Sequence, residues 1–155
     1  MIQRIQSIYL LLTFLLSVIF LGGDFFNFGN DAGTRIMMDS SGLWKSGGDE
    51  ELVRTGNHFI LTILFIFIGI ISVSDIFLYR KRKVQLFLAK ILCLLTAASA
   101  ALTIFYIIYI TGRYEVSVIP GLRMFIPFAV SVLCLLAHRG IRKDDDLVRS
   151  YDRLR

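Results

Sequence analysis

The chain reads as an all-α integral membrane protein: a four-transmembrane-helix bundle with both termini in the cytoplasm. Three observations predict this class. Four apolar runs, at residues 5–21, 59–79, 86–110 and 118–137, meet or approach the roughly 20 residues that a helix needs to cross a bilayer. Only helices satisfy every backbone donor and acceptor inside lipid within one segment. The 155-residue chain is 55% hydrophobic, with a mean hydropathy of +0.68, which leaves room for one compact bundle and no second domain.

Orientation follows from the distribution of charge. With the N-terminus inside, the cytoplasmic segments carry eleven lysines and arginines: Arg4, the four of the 80–83 run, and Arg139, Arg142, Lys143, Arg149, Arg153 and Arg155. The outer segments carry four, Arg35, Lys45, Arg54 and Arg113, together with seven acids. The positive-inside rule therefore puts both ends in the cytoplasm. The net charge of +5 is concentrated beside membrane ends, which points to anionic headgroups and excludes nucleic acid as the expected partner. Residues 20–24, FLGGD, offer no small-x-small cleavage site, so the first run is expected to stay as an uncleaved helix.

The elements between the helices are few. The external loop, 22–57, holds eight of the twelve glycines and the sole tryptophan, Trp44. Within it, 24–28 and 35–38 have strand character bounded by turn residues, giving a short β-hairpin as one reading and an irregular interfacial loop as the other. Pro120 suits the opening turn of the fourth helix, and Pro127 is expected to kink it. On the third helix, Ala89, Cys93, Ala97 and Ala101 recur every four residues as a small-residue stripe for close intrachain packing. The cytoplasmic tail, 138–155, is expected to form its own helix from near Asp144. Leu147, Tyr151 and Leu154 would lie on one side, with Arg149 and Arg153 on another, as contacts for a partner.

Three ionisable residues fall inside the apolar runs: Asp75, Lys90 and Arg123. Intramembrane charges are costly and mark function or specific pairing. In a hairpin turning at residues 82–83, positions 75 and 90 are at equal depth, so a structural ion pair is expected. Arg123, near the outer end of the fourth helix, is expected to contact the external loop or a lipid phosphate. Both cysteines, Cys93 and Cys134, lie in apolar runs as small packing residues. His58 and His138 fall on opposite sides, and no His/Cys/carboxylate set has ligand spacing; no metal, cofactor or catalytic residue is expected.

The two ends carry a resemblance. Residues 1–12, MIQRIQSIYLLL, and 142–155, RKDDDLVRSYDRLR, resemble the DUF4293 family of small four-helix inner-membrane proteins of Bacteroidota. The resemblance implies fold and membrane, and no activity. The expected role is a non-catalytic accessory or assembly subunit of a larger inner-membrane complex, in contact with membrane lipids and an unidentified protein partner. The alternative is a small transporter or channel-like oligomer using Asp75 and Lys90.

Overall fold

The computed structural model describes residues 3–30, 34–47, 53–56, 59–78 and 81–153. Among the described residues are four α-helices: α1 (Gln3–Leu21), α2 (Ile60–Phe77), α3 (Arg82–Tyr114) and α4 (Ile126–Arg153). They form a ring in which α1 and α3 each pack against both α2 and α4. Three of them are long and apolar enough to cross a membrane, while the apolar part of α1, Ile5–Leu21, is shorter.

The rotation of each helix is set by a repeat alternating between three and four residues. Buried positions are Gln6, Leu10, Thr13, Ser17 and Phe20 on α1, and Leu61, Phe65, Ile68, Ser72 and Asp75 on α2. On α3 the seam runs Gln85, Ala89, Leu92, Thr96, Ser99, Thr103, Tyr106 and Ile110. A mean spacing near 3.5 keeps one seam facing its neighbours in a left-handed bundle. The seams are rich in hydroxyls and amides, whereas outward residues such as Ile63, Ile70, Leu94 and Ile108 are apolar and exposed. This polarity is the reverse of a water-soluble bundle. Two inward hydroxyls join neighbouring helices: Ser72 donates to the Leu10 carbonyl at 2.6 Å, and Ser131 to the Thr96 carbonyl at 2.9 Å.

The expected small-residue stripe is corrected by this geometry. Ala89 is buried, but Ala97 and Ala101 are exposed, because the α3 seam advances by 3.5 residues and leaves a strict four-residue series behind.

An all-α description is also corrected. A five-stranded antiparallel sheet covers one end of the bundle, formed by β1 (Phe26–Gly29), β2 (Thr34–Asp39), β3 (Gly42–Gly47), β4 (Val53–Gly56) and β5 (Ser117–Ile119). Their order is β4-β3-β2-β1-β5. Period-two burial drives it: Phe26, Phe28, Ile36 and Met38 turn inward, and Phe26 faces Met38 across the first ladder. The ring of Phe20 stacks on Phe25 at 4.2 Å and on Phe65 at 4.0 Å, so sheet and bundle share one core.

The β2–β3 turn is built on Asp39. Its Oδ1 accepts hydrogen bonds from the Ser41 hydroxyl (2.6 Å), the Ser41 and Gly42 N–H groups (2.8 and 2.9 Å) and the Trp44 indole (3.3 Å). Burial alone would raise the Asp39 pKa, but these donors outweigh it and hold the carboxyl below its usual range.

The fourth helix starts later than its apolar run. Residues 117–119 pair with β1, and Leu122–Phe125 form a 3-10 turn before α4 opens at Ile126. Val118 and Ile119 favour strand, and the residue before a proline is pushed out of the α region, so Pro120 closes β5 and opens no helix. Pro127 then stands in the first turn of α4, where its missing N–H costs nothing; the expected interior kink has no basis.

At its other end α4 continues without a break through Arg153, so the tail is an extension of α4 and Asp144–Asp146 are not at a helix start. The side chains of residues 146–153 lie outside the described residues, as does Leu154 altogether.

Candidate functional site

The two ends of the chain meet at the base of this extension. Gln6 Nε2 donates to Asp144 Oδ2 at 2.6 Å, joining α1 to α4. A Cβ at Gly140 would stand 2.8 Å from Gln6 Cγ, so glycine lets the amide lie against α4 on its way to Asp144. The opening and closing motifs thus contain residues that hold one another. Sequence reading placed each motif at the cytoplasmic end but had no means of pairing Gln6 with Asp144.

Inside the bundle, the structure does not bring Asp75 and Lys90 together. Asp75 is fully buried, and neither carboxylate oxygen has a hydrogen-bond partner among the described residues. Lys90 is exposed. Equal depth had suggested an ion pair, but depth does not fix rotation. Lys90 follows the buried Ala89 by one residue, which turns it about 100° off the α3 seam.

The groups nearest Asp75 use their polar atoms elsewhere. Gln85 Nε2 reaches the backbone oxygen of Asp75 at 3.4 Å, and Ser72 serves Leu10. Elsewhere in the core, Cys134 Sγ lies 3.6 Å from Cys93 Sγ. Both cysteines are free thiols, so the two packing residues expected on separate helices form one α3–α4 contact. His138 also has a buried, unpartnered Nδ1. A carboxyl, an imidazole nitrogen and two thiols therefore occupy the interior toward the end where α1 and α4 are joined. Among the described residues, no three His, Cys, Asp or Glu side chains are grouped to hold a metal ion.

Arg123 sits at the opposite end of the bundle, in the 3-10 turn, half-buried against the backbone of Gly23. A Cβ at Gly23 would overlap its guanidinium, so that position admits only glycine while the arginine lies there. The contact is with the segment that joins α1 to β1. A pocket of about 240 Å³ opens beside it, lined by Asp24, Phe25, Asn27, Gly121, Leu122 and Arg123. Asn27 Oδ1 is buried without a donor. Neither Gly23 nor Asn27 stood out in the sequence, since their roles depend on the fold bringing residues 23–27 beside 121–123.

The expected partner contacts Leu147, Arg149, Tyr151 and Arg153 are placed on the α4 backbone, with side chains beyond the described set; Leu154 is outside the described residues.

Comparison with curated proteins gives no match to the chain. A family model described as a domain of unknown function, DUF4293, matches residues 2–154. That span takes in both terminal motifs, the sheet and all four helices, and the chain belongs to the DUF4293 family.

Proposed function

We propose that this protein is a four-pass subunit of the bacterial inner membrane, with both termini cytoplasmic and no catalytic centre of its own, which presents the end of α4 to a partner membrane complex. The observation that carries this reading is the unbroken course of α4. The nine residues beyond Asp144, at 1.5 Å each, give an arm of roughly 14 Å past the point where α1 holds the helix. Its base is fixed by Gln6 and Asp144. A helix held at its root loses little entropy on docking, which favours a partner contact over a solvated tail. The inward polar seams and outward apolar faces support a lipid environment for the bundle.

A second reading rests on a different observation. The unpartnered carboxyl of Asp75 stands inside the bundle, where ionisable groups serve proton or ion pathways. In that reading the protein is a small transporter or channel-like oligomer, using Asp75 without Lys90.

Co-purification separates the two. Truncation after Asp145 keeps the Gln6–Asp144 bond and the membrane-adjacent basic residues, so protein level and insertion are expected to persist. Recovery of the partner in mild detergent is expected to fall to background. Undiminished recovery would remove the arm from the account. Retained recovery with loss of ion flux on Asp75→Asn would favour transport.

A further inference from the structure

The pocket beside Arg123 holds two complementary unmet demands. A guanidinium carries five N–H donors and favours phosphate or carboxylate oxygens. No hydrogen bond or ion pair to another described residue engages that of Arg123. On the same pocket, Asp24 supplies a carboxylate that does not pair with Arg123. A cation and an anion thus face one cavity without neutralising each other. Their complement is a ligand that is itself a zwitterion, with acceptor oxygens at one end and N–H donors at the other.

The surroundings identify its source. Leu122 is 91% exposed and Phe125 57% exposed on the turn that leads into the apolar helix α4. These side chains place the pocket at the boundary between headgroups and acyl chains if the bundle lies in a bilayer, a reading on which this inference rests. We propose that the pocket binds the headgroup of a membrane phospholipid carrying a phosphate and a primary ammonium, of the phosphatidylethanolamine type. The phosphate oxygens take the Arg123 donors, and the ammonium donates to Asp24. A choline headgroup has no N–H to give. An anionic glycerol headgroup leaves Asp24 without a counter-charge. Gly23 keeps the space in which the guanidinium lies.

Native mass spectrometry of the full chain in detergent, titrated with dioleoyl phosphatidylethanolamine, phosphatidylcholine and phosphatidylglycerol, tests this. The ethanolamine lipid is expected to bind about tenfold more tightly than the other two, the size of effect given by one charge-assisted hydrogen bond. Arg123→Gln should reduce its binding by a similar factor, with partial recovery in Arg123→Lys. Asp24→Asn, a substitution in a half-buried loop residue, should abolish the preference over phosphatidylglycerol while leaving the unfolding temperature unchanged. Equal binding of the three lipids by the unsubstituted protein would overturn the proposal. So would an ethanolamine preference that survives both Arg123→Gln and Asp24→Asn. Release of the chain from membranes by alkaline carbonate would instead refute the bilayer reading, and is read separately.

Discussion

Phe20→Ala is expected to destabilise the protein by about 3–5 kcal/mol, the cost of emptying a fully buried aromatic site. Phe20 is completely enclosed, stacked between Phe25 of the sheet segment and Phe65 of α2. Removing it takes away both ring contacts and leaves a cavity where three elements converge. The loss should be expressed in two ways. The unfolding midpoint in detergent should drop, and protease should cut within residues 22–57 before the helices are attacked. Phe20→Leu should recover much of the stability, because it refills most of the volume. A loss below about 1 kcal/mol would mean that sheet and bundle do not share a core.

Asp75→Ala is expected to act in the opposite direction, raising stability by about 1–3 kcal/mol. That range is the usual cost of a buried polar group left without partners. Both Asp75 oxygens are in this condition. Were Asp75 instead the partner of Lys90, the same substitution would strand a charge and destabilise. A double-mutant cycle with Lys90→Gln distinguishes these cases. Coupling within about 0.5 kcal/mol of zero is expected for residues on different faces. Coupling of 1 kcal/mol or more would restore the ion pair. A carboxyl that weakens the fold at its own position is the kind of residue retained for function. It is also the position at which the transport reading stands or falls.

Much of the architecture was legible in residue type alone. Each of the four apolar runs contains a helix, although α4 opens eight residues after its run begins and continues beyond its end. Residues 24–28 and 35–38 carried strand character, a hairpin being one of two readings there, and β1 and β2 fall on them. The remaining strands were hidden for a physical reason. Gly42–Gly47 contains two glycines, a serine and a lysine, and becomes a strand because β2 offers it a ladder. Ser117–Ile119 joins β1 from eighty-eight residues away, a pairing no local pattern encodes.

Helix rotation was the other blind spot. With apolar residues on every side, hydrophobicity does not say which face turns inward. The usable signal was the polar minority: Gln6, Thr13 and Ser17 fall on a three-four repeat, and so do Ser72 and Asp75. Reading those positions as the seam would have shown Asp75 facing the core and Lys90 facing out. At Arg123 the residue was identified and its neighbours were not. Gly23, Asp24 and Asn27 reach it only because α1 ends and the sheet begins at the same level as the turn into α4.

The four-crossing topology, with both ends inside, is the claim on which the arm and its partner depend. It is tested most directly by alkaline phosphatase fusions. The enzyme inserted between β3 and β4, at residues 48–52, should be active, whereas a fusion at Arg155 should be inactive. Activity at Arg155 would require an odd number of crossings, place the α4 arm outside the cell and contradict the account.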